Sequence, residues 1–341
     1  MRAFSQTNLF ITVYLFSISR IFGFPYARRD GSVSKYVGTA VTSNSLGVEK
    51  PYDDAIKKYF TVLTPENEMK WESLKPDING QYKFENLDKI FELNKSDNKK
   101  IRGHTFIWHR QYPKWLESLD KNSLLEETKK HVEVIMERYA SRMTSMDVCN
   151  EIIGDDGSLR QNIWMQKIGE DYIAQVFKIA REASQKYNPQ LKLYVNDYSI
   201  EGVNKKSNKL YDVAKKLKGL GLLDGVGFQS HFEVGGVPKD MKENMQRFAD
   251  LGLDVAISEL DVRMELKDKN DSSVKKQGED FSEVFTTCKQ LDKCVGVTVW
   301  GVSDKDSWVP QEFPGWGEAL LFDESYKPKP TLDSVIDIMR A

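Results

Sequence analysis

The sequence predicts an α/β fold, a single (β/α)8 (TIM) barrel, on three observations. Eight short apolar or β-branched runs recur along the chain, each followed by a longer amphipathic stretch. That is the pattern of parallel strands buried on both faces and joined by helices. The chain has 341 residues, and eight such units after residue 30 fill one domain with no Pro/Ser/Gly-rich linker, low-complexity tract or repeat between them. The third observation concerns the structural alternative, a doubly wound open sheet. Such a sheet would bind a nucleotide through a glycine-rich first turn, and no Gly-x-Gly-x-x-Gly follows the first run.

The elements follow in order. Residues 1–8 carry one Arg and no acid, residues 9–19 form an apolar run, and Arg20 ends it. Spanning a bilayer takes about 20 apolar residues, so the run reads as a secretory signal, with a buried first helix as the alternative. Arg28-Arg29 offers a dibasic processing site, which places the mature start between roughly 24 and 31. Residues 1–29 are therefore assigned to a signal peptide with room for a short pro-segment, and the protein is expected to be secreted and extracellular. The strand runs are 36–41, 60–64, 101–106, 145–149, 191–195, 225–228, 255–257 and 295–300. Helical segments between them include 121–138, 170–187, 205–217 and 239–250.

Charge narrows the partners. Lys plus Arg number 49 against 51 Asp plus Glu, a net charge of -2, and the four Arg of residues 1–29 have no acid among them, so their removal leaves -6. A mildly acidic chain offers no footprint for a phosphate backbone, and nucleic acid is not expected as a partner. No membrane association is expected of the mature chain. No extra interface element is evident, and a monomer is expected. The seven Trp and fourteen Tyr are more than core filling demands. Of the three cysteines, Cys288 and Cys294 lie six apart, and in a secreted chain they read as one disulfide closing a small loop. Cys149 stands inside an apolar run with no His beside it and reads as a small buried apolar side chain. Two sequons, Asn94-Lys95-Ser96 and Asn270-Asp271-Ser272, lie in polar stretches.

Catalytic groups of such barrels come from the C-terminal ends of the strands. Read in order, those ends carry Glu66, Asn67 and Lys70; His104, then Trp108 and Gln111; Asn150 and Glu151; Asn196, Asp197 and Tyr198; Gln229 and His231; Glu259; and Trp300 with Trp308. No Ser or Cys nucleophile with a base, no His-Glu-x-x-His and no Cys/His metal spacing accompanies them, so neither a metal nor a cofactor is expected. Two glutamates, Glu151 and Glu259, each end an apolar strand. Two carboxyl groups whose environments push their pKa values apart are what glycoside hydrolysis requires. Trp and Tyr faces stack on sugar rings while Asn, Gln, His and Lys hydrogen-bond hydroxyls, so the rest of the ring suits a neutral oligosaccharide.

Together the motifs resemble a known family. Thr64-Pro65-Glu66-Asn67-Glu68-Met69-Lys70-Trp71, Arg102-Gly103-His104-Thr105, Trp108-His109, Asp147-Val148-Cys149-Asn150-Glu151, Asn196-Asp197-Tyr198, Gln229-Ser230-His231, Ser258-Glu259-Leu260-Asp261 and Thr298-Val299-Trp300-Gly301 are similar to those of glycoside hydrolase family 10, the endo-β-1,4-xylanases. The similarity runs from about residue 33 onward, and the motifs come in the family's order. It implies a catalytic domain over residues 30–341 that cleaves xylan with retention of configuration. Cys288 and Cys294 also resemble the fungal-type members. Carried over by motif, Glu151 is the general acid/base and Glu259 the nucleophile. Asn150 would bond the sugar 2-hydroxyl, and His231 would hold Glu259 ionised. Glu66, Asn67, Lys70, His104, Trp108, Trp300 and Trp308 resemble residues that cradle the non-reducing-side xylose units. Gln111, Tyr198 and Gln229 look like supporting members of the cleft.

The departures are Met146 where a Trp is common, Cys149 for Val and Phe106 for Leu, all among or beside core residues. His109 and His131 read as structural, and Trp71, Trp115 and Trp164 as packing. Trp316 either lines the cleft or pins a loop. Two other functions are consistent with the same ring: a broader β-1,4-glycanase acting on glucan, and a catalytically silent xylan-binding barrel. The retaining assignment carries a geometric expectation, carboxyl groups about 5–5.5 Å apart.

Overall fold

In the computed structural model, which describes residues 35–340, ten strands form: β1 (Tyr36–Val41), β2 (Val62–Pro65), β3 (Lys100–Trp108), β4 (Met143–Asn150), β5 (Lys192–Asp197), β6 (Gly225–Phe228), β7 (His231–Glu233), β8 (Asp254–Glu265), β9 (Cys294–Val299) and β10 (Trp316–Gly317). Strands β1 to β6 pair in sequence, all parallel; β6 pairs with β8, β8 with β9, and β9 returns to β1. This is a closed eight-strand parallel barrel with helices between the strands, as the alternation of runs requires. β7 and β10 are short additions alongside β8. The signal-peptide assignment lies outside the described residues.

β8 differs most from its expected extent. The apolar run stops at Ile257, yet the strand continues to Glu265. Beyond Ser258 the sequence alternates Glu259, Asp261, Arg263 and Glu265 with Leu260, Val262 and Met264. That period of two continues the strand, with Glu259 and Asp261 buried like the apolar residues between them and only Arg263 and Glu265 partly exposed. It carries β8 out of the barrel body, with β7 and β10 pairing along the extension.

Helices form where a buried stripe meets a cap. Lys121–Tyr139 starts at Asp120, whose carboxylate accepts the Ser123 N–H at 2.8 Å. It buries Leu124, Thr128, His131, Val132, Ile135, Met136 and Tyr139, one face at a period of three to four. Asn204 and Asn270 close capping boxes with Ser207 and Ser273. The Asn270 sequon thus sits at a helix start, its amide oxygen taking the Ser272 and Ser273 N–H groups. Cys288 and Cys294 form the expected disulfide, tying the end of helix Asp271–Gln290 to the start of β9. Cys149 is buried and unpaired, its thiol pushed up by burial. Met146 and Phe106 are both fully buried.

The barrel interior beneath the strand ends is polar. Arg102 and Asp147 are each 1% exposed and bidentately paired, at 3.1 and 2.5 Å. The guanidinium lies 4.6 Å from the Tyr194 ring centroid. Such bulk fits because β6, with the sequence Gly225-Val226-Gly227-Phe228, presents no side chain to it. A Cβ on Gly225 would collide with the Tyr194 ring and approach Asp254 O to 2.9 Å. A Cβ on Gly227 would strike the Asn196 amide and come within 2.7 Å of Arg102 Nη2.

Gly225→Ala is therefore expected to destabilise the fold by about 1–3 kcal/mol, the cost of overpacking a filled interior, measured by thermal or denaturant unfolding. Gly227→Ala should carry a similar loss and also lower activity, because the amide that it displaces is the one that bonds Glu259.

Candidate active site

Glu259 stands midway along β8, where the strand leaves the barrel body, and is 5% exposed. Asn196, at the end of β5, donates to its Oε1 at 2.6 Å. His231 Nε2 lies 3.3 Å from its Oε2, and His104 Nδ1 lies 4.0 Å from Oε1. Burial alone would push this carboxyl up. The His231 bond, the His104 and His231 rings and the Asn196 donor outweigh it, and Glu259 is held below the ordinary Glu range. His231 is fixed from behind by Asp261, 2.8 Å from Nδ1. Burial lowers its affinity for a proton, but Asp261 and Glu259 more than reverse this and raise its pKa to about 10. The imidazolium is thus sandwiched between two carboxylates. Trp308 Nε1 donates to the same Asp261 oxygen at 2.8 Å, and its ring meets His231 edge-on at 4.9 Å.

Glu151 follows the last residue of β4. Its φ is +56°, a left-handed conformation that costs a non-glycine residue about 1–2 kcal/mol. Its N–H bonds Asn196 O at 2.8 Å. Gln229 Nε2 donates to Glu151 Oε1 at 3.1 Å and lies 3.3 Å from the Asn150 amide, which in turn lies 2.9 Å from Asn196 Nδ2. A chain of side-chain amides therefore joins Glu151 to Glu259. Beside Glu151, His109 Nδ1 is 3.6 Å from Oε2. Burial, with Arg160, Arg110 and Lys206 nearby, lowers the His109 pKa to about 4. Its ring is neutral at ordinary pH and forms no ion pair with Glu151. The two glutamates thus occupy unlike settings: Glu259 faces an imidazolium, Glu151 neutral amide and imidazole groups.

The remaining expected residues gather around this pair. Lys70, 6% exposed, donates to Asn67 at 2.9 Å and to Gln111 at 2.8 Å, and lies 4.7 Å from the Trp108 ring centroid. Gln111 donates to the same Asn67 oxygen at 3.1 Å. Burial lowers the Lys70 pKa against the pull of Glu66, Glu259 and Glu151, and burial raises that of Glu66 to about 7 against the pull of Lys70. His104 is buried, its Nδ1 3.0 Å from Asp147 Oδ2, and Trp300 meets it edge-on at 5.4 Å. Tyr198 is bonded to Asp155 and Arg160, and Lys206 lies over its ring. No group of three or more His, Cys, Asp or Glu side chains arranged to hold a metal ion occurs among the described residues.

A ring of strand-end carboxylates, amides and indoles on this barrel can be set beside known proteins. The model of glycosyl hydrolase family 10 matches residues 27–338. The chain belongs to glycosyl hydrolase family 10. It is 38% identical over 308 residues to an endo-1,4-beta-xylanase of Agaricus bisporus, covering 89% of this chain and 90% of that protein. To endo-1,4-beta-xylanase B of Thermotoga neapolitana it is 37% identical over 310 residues, covering 89% and 88%. Among solved structures, a glycosylated endo-beta-1,4-xylanase of Gloeophyllum trabeum superposes with a TM-score of 0.85 at 36% identity, covering 90% of this chain and 96% of that one. Xylanase 10B of Thermotoga petrophila, in complex with xylobiose, gives 0.85 at 37%, covering 90% and 94%.

In this family 10 hydrolase the expected site residues converge, and several further residues join them. His109, read as structural, abuts Glu151, and its adjacency to Trp108 at a strand end is the one signal of that position in the sequence. Asn196 and Asp261 act directly on Glu259 and His231. Arg160, far from any strand end, donates to Glu151 O at 2.8 Å. Trp164 and Trp71 are buried away from this ring: Trp164 Nε1 donates to Thr128, and Trp71 stacks on His131 at 3.9 Å. Trp115 Nε1 donates to Lys75 O. Trp316 pins a loop: it pairs with Glu265 in the sheet, and the Arg263 guanidinium lies 5.5 Å from its ring and 4.3 Å from that of Phe313.

The His231 pKa has a stability signature. Its folded-state value of about 10 lies above the ordinary 6.5, so its contribution is complete below about pH 6.5 and is lost as pH rises toward 10. His231→Gln is expected to flatten the fall in unfolding temperature over that range. The same variant should shift the acid limb of kcat/KM to higher pH, because Glu259 loses the first of the groups that hold it low.

Proposed function

We propose that the chain is a secreted endo-1,4-β-xylanase that cleaves internal β-1,4-xylosidic bonds by a retaining double displacement. The observation that carries this reading is the unlike setting of two buried carboxyl groups on one ring of strand ends. Glu259, beside the His231 imidazolium, is suited to remain ionised and attack the anomeric carbon. Glu151, facing uncharged groups, gives its proton to the departing glycosidic oxygen as that bond breaks. The glycosyl-enzyme ester on Glu259 is then opened by water, whose proton passes to Glu151, restoring both groups. The Asn150 amide, between the two carboxylates, is placed for the 2-hydroxyl of the sugar. Lys70, Asn67 and Gln111 form a fixed polar cluster beside Trp108 for further hydroxyls.

Xylan and xylo-oligosaccharides are the proposed substrates. Trp308 supports xylose over glucose, because its bond to Asp261 and edge contacts to His231 and Phe313 make it a wall with little freedom to accept a hydroxymethyl group. Secretion is supported by the short apolar run behind a basic start, and no described helix is long and apolar enough to cross a membrane.

The test is reducing-end release from glucuronoxylan, with carboxymethyl-cellulose in parallel and Glu259→Gln as control. Strong release from xylan alone, falling to background in the variant and giving the β-anomer first by NMR, is the expected outcome. Equal release from cellulose would move the assignment to a broader β-1,4-glycanase. Folded protein with no release from either would make it a binding barrel.

A further inference from the structure

Both backbone groups of Glu151 are tied down. The N–H is held by Asn196 O across the sheet, but the carbonyl lies past the end of β4 and takes the Arg160 Nε–H at 2.8 Å. The same guanidinium donates from Nη2 to Ile153 O and to the Tyr198 hydroxyl, each at 3.0 Å. One planar fork therefore spans the turn that leaves Glu151 and the aromatic residue beside it, a geometry that a point-charge ammonium does not reproduce. The loop has its own frame. Ile153 bridges Leu159, Gly154 N–H bonds Ser158 O at 2.8 Å, and Arg160 N–H bonds Ile152 O at 2.8 Å. None of these needs the Arg160 side chain.

We propose that Arg160 is the positioning residue of the acid/base group: by holding the carbonyl of a left-handed Glu151, it fixes the direction in which that carboxyl points. The inference rests on the assignment of Glu151 above. A mispointed acid slows only those reactions whose leaving group needs a proton, whereas a general loosening of the cleft slows all of them.

Two substrates separate the cases: xylopentaose, whose leaving sugar hydroxyl needs protonation, and 2,4-dinitrophenyl β-xylobioside, whose phenolate departs unassisted. Glu151→Ala is the reference and should lose kcat/KM on the first while keeping it on the second. Arg160→Met is expected to show the same pattern at smaller amplitude, about 10- to 100-fold down on xylopentaose and within about threefold of the parent on the aryl glycoside. Arg160→Lys, which keeps the charge but not the fork, should fall between the parent and the Met variant and serves if the Met variant does not fold. Equal loss on both substrates, or loss on neither, overturns the positioning role. If Glu151→Ala itself shows no leaving-group dependence, the acid/base assignment fails and the inference falls with it.

Discussion

The rest of the site is arranged around one cost, that of keeping a carboxylate ionised inside a nearly dry barrel. Removing such a group from water costs several kcal/mol unless paired charges and donors replace the lost hydration. Glu259 receives that replacement from two sides. On one, His231 carries a proton that Asp261 stabilises, and Asp261 is itself bonded by Trp308. On the other, Asn196 is aligned by Ser258, which donates to its Oδ1 at 2.6 Å, and His104 is anchored on Asp147, which Arg102 neutralises from below. On the first route an imidazolium separates two carboxylates, and on the second the Arg102 guanidinium pairs with Asp147. Truncating one member of such a pair typically costs 3–5 kcal/mol, because its partner stays buried.

The second carboxyl group is handled by different means. The Glu151 carboxyl meets the Gln229 amide and the neutral His109 ring, while the Arg160 guanidinium holds the backbone carbonyl, and the residue is directed by backbone geometry. Its left-handed φ turns the chain out of β4, and local strain of this kind persists only where surrounding contacts over-determine it. Gln111, Ser199 and Ser230, at or just beyond strand ends, share positive φ values. Ser230 precedes His231, and its N–H is taken by the buried Glu201 at 2.7 Å. Helix Met241–Asp250 steadies the loop that carries Glu201 through Asn244, which donates to the carbonyls of Ile200, Glu201 and Gly202. Rigid elements thus hold loops whose backbone would otherwise relax.

How much of this was legible in the sequence follows from where the information lies. Strands and their terminal residues were, because alternation of runs fixes the barrel and chain order fixes which side chains meet at its mouth. Glu259 and His231 lie on strands, Glu151 just after one, and Lys70 and Trp308 in the segments that follow β2 and β9, so all could be placed together at one end. Arg160 could not be, since it reaches back nine residues across a loop to a carbonyl, and backbone groups leave no mark in a motif. His109 carries no mark in the sequence beyond its place beside Trp108, and only the fold puts its ring against Glu151. The outer half of β8 was not legible for a related reason: an apolar run ends at its first charge, yet here the buried carboxylates Glu259 and Asp261 alternate with apolar residues inside the strand.

A polar barrel floor also constrains where stability resides. Arg102, Asp147, His104, Asn196 and Tyr194 fill space that apolar side chains of similar volume would fill at equal or lower free energy. The two glycines of β6 contribute no side-chain burial of their own. The compensating apolar burial therefore lies between the strands' outer faces and the helices, where Leu124, Ile135, Phe177, Phe248, Val284 and Phe285 are all fully buried. Such a division lets the two layers vary under different demands. Outer residues answer to volume and hydrophobicity and tolerate exchange of one aliphatic group for another. Inner ones answer to charge and hydrogen-bond geometry, which tolerate little. Met146 and Cys149 fit this division, since each is fully buried and keeps apolar bulk in place.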